Sequence, residues 1–249
     1  TIATLLYQLF TSLGYGCGLL STIANYIEND IYPTINTTSD PISINSLLAQ
    51  MADRGCGYCF MEVSSHALDQ ERVAGLKFKG AIFTNLTHDH LDYHHTFAEY
   101  LRCKKKLFDT LPKGAFALVN TDDKNGKVMV QNTSADIYTY SLRDAADFKV
   151  KIMEKSIEGS LLNIDGRDVW TRFIGTHNAH NLIAVYGAAI LLNAAKEEVL
   201  TRISGLQSVS GRLEYIKGPR EIPAVVGYAH TPDALENVLV TLGVIACGS

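Results

Sequence analysis

Tyr58-Cys59-Phe60-Met61-Glu62-Val63-Ser64-Ser65-His66 is an apolar run that ends abruptly in a carboxylate, two hydroxyls and an imidazole. Two later segments repeat this design. Residues 81–86 end in Thr87, His88, Asp89 and His90, and residues 115–120 end in Thr121, Asp122 and Asp123. Helical patterns separate them, most clearly over residues 97–111. Strands that are apolar throughout are buried on both faces. Their alternation with helices predicts an α/β fold, a mostly parallel sheet with helices on both faces. Ligands bind such sheets beyond the carboxyl ends of the strands. Those ends carry the polar residues here, so a site is placed before any chemistry is assigned.

Working outward, residues 1–13 read as a helix already under way, with no cap before it and a stop at Gly14. Both chain ends therefore read as cut. Residues 18–23 look like a strand, and Leu47, Leu48 and Met51 repeat at helical spacing within 43–54. Residues 136–170 look β-rich, with a turn at Asp165-Gly166. A long helix is expected over about 178–195. The Ser, Gly, Pro and charged residues of 205–223 suggest a hinge, after which 224–228 restart as a strand and a helix follows from Pro232.

Composition bounds the function. The 249 residues, 47% hydrophobic and 19% charged, suit one large domain or a domain plus part of another. A net charge of -4 points to neither nucleic acid nor an anionic membrane, though it is compatible with a phosphorylated ligand. No apolar run approaches a membrane span, so no membrane insertion is expected. The 5 cysteines are odd in number and irregularly spaced, which argues against a disulfide framework. Cys56 and Cys59 form a lone C-x-x-C and read as ordinary buried thiols.

Four groups of residues are candidates for chemistry. Glu62 closes an apolar strand, where a carboxylate needs a partner. Mg²⁺ would supply one, since it prefers oxygen ligands; a helix cap or an arginine would serve equally. The run from His88 to His95 holds the densest set of possible ligands. His88, Asp89, His90 and Asp92 resemble the H-x-H-x-D-H signature of zinc hydrolases, although Tyr93 stands where that pattern needs histidine. Lys104, Lys105 and Lys106 lie in a helix about 100° apart, so they cannot share one pocket. Such a run is ordinarily a solvated basic face. Asn178 and Asn181 share a helical face near an N-terminus, where amides could read an adenine edge or simply cap the helix.

Taken in order, these segments resemble the Mur ligase family, closest to its MurE branch. Met61 to Leu68, with Gln70 and Arg72, is similar to the MurE strand motif. The run Thr84-Asn85-Leu86-Thr87-His88-Asp89-His90-Leu91-Asp92-Tyr93-His94 resembles the family's T-N-L-x-x-D-H-L-D-Y-H. Gly175 to Asn181 resembles G-x-x-N-x-x-N, Gly211-Arg212-Leu213-Glu214 the G-R-x-E hinge, and the residues from Tyr228 to Leu235 the opening of a third domain.

The resemblance implies a bacterial, cytoplasmic, monomeric enzyme of cell-wall synthesis. It would be an ATP-dependent amide-bond ligase, joining a diamino acid (meso-diaminopimelate or L-lysine) to UDP-N-acetylmuramoyl-L-Ala-D-Glu through an acyl phosphate. Residues 1–210 would form the central ATP-binding domain, and 211–249 the hinge plus the first strand and helix of a C-terminal Rossmann-like domain. Asn36, Thr37, Thr38, Ser64, Gln70 and Arg72 would contact the UDP-dipeptide substrate. Glu62, His90 and Lys104, the last carbamylated, would serve catalysis and Mg²⁺. Asn178, Asn181 and Arg212 would bind ATP. Three departures stand out: Gly227 where the family has Asp, His177 for an aromatic, and His88 for Arg. The family's phosphate loop, G-T-x-G-K-T, is expected just before Thr1. The 249 residues alone are therefore expected to make no amide.

Overall fold

The computed structural model describes residues 1–34, 36–87, 91–209, 211–217, 223–227, 235–236, 238–240 and 243; for residues 91, 92, 212–215, 217 and 223 it describes the backbone alone. The chain forms two compact units, Ile2–Thr139 and Tyr140–Ser249.

The first unit opens with α1 (Ile2–Ser12), which ends where Gly14 takes a φ of +91°. Then come β1 (Cys17–Leu20), β2 (Asn25–Ile27) and β3 (Asp30–Tyr32). Next is α2 (Pro41–Asp53), where the Asp40 carboxylate accepts from the amides of Ile42 and Ser43 and Pro41 sits at the first turn. β4 (Tyr58–Met61) runs into α3 (Ser65–Asp69), capped by the Ser64 hydroxyl. β5 (Gly80–Phe83), α4 (Leu91–His94), α5 (Phe97–Asp109), β6 (Phe116–Asn120) and α6 (Gly126–Met129) complete it. The chain leaves this unit within β7 (Asp136–Ser141).

The three apolar strands do not share one ladder. β4 pairs in parallel with β1, in a sheet of order β3-β2-β1-β4, whereas β5 pairs in parallel with β6. The pattern marked the strands themselves, and β6 is buried on both faces, whereas β4 leaves Cys59 exposed on one. Lateral neighbours are met by backbone groups that all residues carry, so the pattern is silent about them. The first sheet is covered on one side by α1, whose Phe10 is 0% exposed and packs against Tyr58 and Phe60 at ring distances of 4.6 and 5.1 Å. Its other face meets α2, Met51 lying over Gly18. A second apolar cluster holds Phe83, Tyr100, Phe108, Ala117, Val119 and Met129 between β5, β6, α5 and α6.

Gly126 marks a close backbone approach. A Cβ there would lie 2.2 Å from the Asn120 carbonyl oxygen, which is main chain and cannot rotate away. Gly126→Ala is therefore expected to destabilise the fold by about 1–3 kcal/mol. A denaturation midpoint equal to the wild type would show that the β6–α6 connection relaxes freely.

In the second unit, Tyr140 and Ser141 of β7 pair in parallel with β8 (Phe148–Lys155), and β8, β9 (Ser160–Ile164) and β10 (Arg167–Thr171) are antiparallel neighbours. The β9–β10 turn is Asp165-Gly166 as expected, with φ of 52° and 81°, the two positive values a tight type I′ hairpin needs. Asp165 also accepts from Tyr186 at 2.9 Å, on α7 (Thr176–Leu191), and pairs with Lys196 at 2.6 Å, on α8 (Lys196–Ile203). The Lys196 ammonium, then the Tyr186 hydroxyl, holds its carboxyl below the ordinary range.

Two expectations are corrected. Residues 212–217, read as hinge, form β11 (Arg212–Lys217), antiparallel to β12 (Pro223–Gly227). Gly211, Pro223 and Gly227 stand at the ends of these strands, and 212–217 itself contains neither Gly nor Pro, which the composition of the longer stretch averaged away. Cys59, read as a buried thiol, is exposed; its neighbour Phe60 points into the core instead, as alternate strand residues do. No helix among the described residues is long and apolar enough to cross a membrane.

Candidate active site

Parallel pairing of β1 with β4 brings two strand ends side by side. The Glu62 amide donates to the Leu20 carbonyl at 2.9 Å, so the residues after Leu20 and after Met61 emerge together. Thr22 thereby becomes the partner of Glu62. Its hydroxyl donates to Glu62 Oε2 at 2.8 Å and its amide reaches the same oxygen at 3.3 Å. Thr22 was not singled out from the sequence; its signal was a hydroxyl two residues beyond the neighbouring strand.

The loop from Asn36 to Thr38 closes over this corner. Thr37 meets the Thr22 hydroxyl at 3.3 Å. Thr38 is 2% exposed; its hydroxyl donates to the Glu62 carbonyl at 2.9 Å and accepts from the Ser64 amide at 3.0 Å. Arg72 Nη1 then donates to the Thr38 carbonyl at 2.7 Å, while Nε and Nη2 both donate to Gln70 Oε1, at 2.9 and 2.5 Å. Five of the six expected substrate contacts, Thr37, Thr38, Ser64, Gln70 and Arg72, thus join Glu62 in one hydrogen-bonded network. Asn36 belongs to the same loop, where its carbonyl accepts from Thr34 at 2.7 Å and its side chain is exposed.

Of the two alternatives to a metal at Glu62, helix cap and arginine, neither occurs among the described residues; Thr22 takes the place. Among the described residues only Oε2 is engaged. Among the described residues nothing donates to Oε1, which with the Thr22 and Thr37 hydroxyls gives the hard oxygen donors that suit Mg²⁺. His90, with His88 and Asp89, lies outside the described residues. Among the described residues no group of three or more His, Cys, Asp or Glu side chains is placed to hold a metal by itself.

The three lysines of α5 diverge as their spacing requires. Lys105 pairs with Asp109, Lys106 approaches Asp69 at 3.7 Å, and Lys104 Nζ lies 5.1 Å above the Tyr100 ring. Tyr100 stacks on His94, whose Nε2 meets Ser65 Oγ at 2.9 Å in a buried contact. Lys104 therefore connects through Tyr100 and His94 to Ser65, the residue beside Ser64.

Asn178, Asn181 and Arg212 belong to the second unit. Asn178 is 2% exposed; its amide nitrogen donates to the Ile174 carbonyl at 2.9 Å and its oxygen accepts from Asn181 at 3.3 Å. It thus ties the first turn of α7 to the segment before it, where Gly175 takes a φ of 86°. Arg212 stands in β11 with its backbone opposite Gly227; its side chain lies outside the described residues.

Residues 1–189 match the model of the Mur ligase middle domain. The chain belongs to the Mur ligase family. A UDP-N-acetylmuramoyl-L-alanyl-D-glutamate–2,6-diaminopimelate ligase of Phocaeicola vulgatus is 59% identical over 239 residues, which is 96% of this chain and 49% of that protein. A solved structure of a ligase with the same name superposes with a TM-score of 0.84 and 32% identity, covering 98% of this chain and 51% of that one. The MurF ligase of Thermotoga maritima, solved in complex with ADP, gives a TM-score of 0.75 at 14% identity, over 97% of this chain and 53% of that one, which shows a shared Mur ligase fold. The chain spans about half the length of the curated relatives it matches.

Proposed function

We propose that this chain is the central part of an ATP-dependent amide-bond ligase that extends UDP-N-acetylmuramoyl-L-Ala-D-Glu by 2,6-diaminopimelate. The observation that carries the reading is the network at the end of β4. It ties Glu62, Thr37, Thr38, Ser64, Gln70 and Arg72 together in a chain 59% identical to a ligase of that name. The name of that relative also favours diaminopimelate over lysine, a choice the sequence left open.

In this reading residues 1–210 form the nucleotide-binding domain and 211–249 begin the next. Arg72, with Thr37, Thr38, Ser64, Gln70 and Asn36, holds the anionic precursor at the strand ends. Glu62, His90 and a carbamylated Lys104 would hold Mg²⁺, which would offset charge on the phosphoryl oxygens. Asn181, Asn178 and Arg212 would bind the nucleotide. The Asn178 amide, largely committed to Ile174 and Asn181, acts by holding Asn181 more than by reading adenine itself. The precursor carboxylate attacks the γ-phosphate of ATP, releasing ADP, and the incoming amine then displaces phosphate from the acyl phosphate. The same reading makes the enzyme a bacterial cytoplasmic monomer. The zinc-hydrolase alternative loses its ground, since the family match accounts for the same histidines.

A chimera tests this, with these 249 residues replacing the matching half of the Phocaeicola vulgatus ligase. Amide formation requiring ATP, Mg²⁺ and diaminopimelate is expected. Lys104→Ala should lower it about 10²-fold or more. A chimera that folds and binds stoichiometric zinc, without ATP-dependent synthesis, would overturn the assignment.

A further inference from the structure

Arg72 carries five N–H groups, and three are committed: one to the Thr38 carbonyl and two to Gln70 Oε1. With its oxygen taken twice, the Gln70 amide can turn only its NH₂ outward, and Nε2 donates to the Tyr93 hydroxyl at 3.2 Å. A phenol that accepts this bond sends its own proton onward. Tyr93 donates to Asp69 Oδ2 at 3.1 Å. The other Asp69 oxygen faces the Cys103 thiol at 3.4 Å and Lys106 at 3.7 Å. Hydrogen bonds from Cys103 and Tyr93, and the Lys106 cation, hold the Asp69 carboxyl below its ordinary range, so the terminal acceptor stays ionised.

Every bond in this series has one possible direction, from Arg72 through Gln70 and Tyr93 to Asp69. We propose that Tyr93, anchored on Asp69 and Lys106, is a positioning residue that fixes the Gln70 amide and the plane of the Arg72 guanidinium. Two N–H groups of that guanidinium are left uncommitted among the described residues, ready for a bidentate anion. That the anion belongs to the UDP-linked precursor rests on the function proposed above; the positioning role does not. The arrangement also gives Lys106 a task distinct from that of Lys104. Both Gln70 and Asp69 are exposed, so without the hydroxyl between them water would compete for each, and the amide would be free to rotate.

Tyr93→Phe isolates the hydroxyl, because the ring keeps its contact with His66 at 4.1 Å. In the 249-residue chain, the Arg72 Nε–H resonance, assigned by its loss in Arg72→Lys, is expected to exchange slowly with solvent. In Tyr93→Phe that exchange should quicken about tenfold while the melting temperature stays within about 2 °C. Unchanged exchange would overturn the proposal. Calorimetric titration with UDP-N-acetylmuramoyl-L-Ala-D-Glu should show about tenfold weaker binding in Tyr93→Phe, and no further weakening when Arg72 is already Ala. An equal loss in both backgrounds would mean that Tyr93 acts independently of Arg72. If the wild-type chain does not bind this nucleotide, the substrate assignment fails, while the exchange measurement still decides the role of Tyr93.

Discussion

Glu62→Ala in the chimeric ligase is expected to lower turnover about 10²–10³-fold, the usual loss when one fixed electrostatic contact is removed from a phosphoryl-transfer site. The side chain is half-buried at the end of β4, with Oε2 held by Thr22 and Oε1 turned away from any described donor. Thr22 fixes the carboxylate's orientation without neutralising it, since a hydroxyl and an amide bring no charge. Stability should therefore change little, by about 1 kcal/mol. Glu62→Gln separates holding from charge. It keeps an oxygen for Thr22, yet it should lose nearly as much turnover as Ala if the negative charge is what the reaction needs. A Gln variant as fast as the wild type would remove Glu62 from the chemistry and leave it a brace between two strands.

The second large effect concerns the core. Phe10→Ala is expected to destabilise the first unit by about 3–5 kcal/mol, measured by chemical denaturation. Phe10 is fully buried, and its ring meets three others, Tyr58, Phe60 and Tyr15, at 4.6, 5.1 and 5.7 Å. It holds α1 to β4, the strand that delivers Glu62. α1 has no acidic residue in its first turn and no basic one in its last, so burial of Leu5, Leu6, Leu9 and Phe10 is what keeps it in place. Phe10→Leu, which fills part of the space, should lose less than half as much. A loss under about 1 kcal/mol for Ala would mean that the aromatic cluster collapses around the gap.

What the sequence revealed follows from which interactions side chains encode. Apolar runs closed by polar residues marked β4, β5 and β6 and their functional ends, because burial above and below a strand is written in its side chains. Asp165-Gly166 marked a hairpin, because few residue pairs accept two positive φ values. The pairing of β4 with β1 was not legible, and with it went Thr22: the contact with Glu62 depends on which strand lies alongside. β11 was hidden for a related reason, since the Gly and Pro residues around 212–217 outweighed a six-residue strand whose partner follows it. Asn178 was ambiguous in sequence and is nearly saturated in the fold, its amide tied to the backbone just before its helix and to Asn181. The Tyr93–Asp69 link joins residues 24 apart and required α3 and α4 to be adjacent, which no local pattern announces.

The Asp165 turn has a practical bearing. Hairpin tips are the customary places to splice in an epitope tag or to open a chain for circular permutation, because they seldom bear on anything else. This tip is fastened at its first residue to Tyr186 and Lys196, so an insertion there would unhook two helices along with the loop. Even the conservative exchange to Asn-Gly, ideal for the bend itself, would surrender the anionic clasp. Anyone labelling this protein should choose another surface.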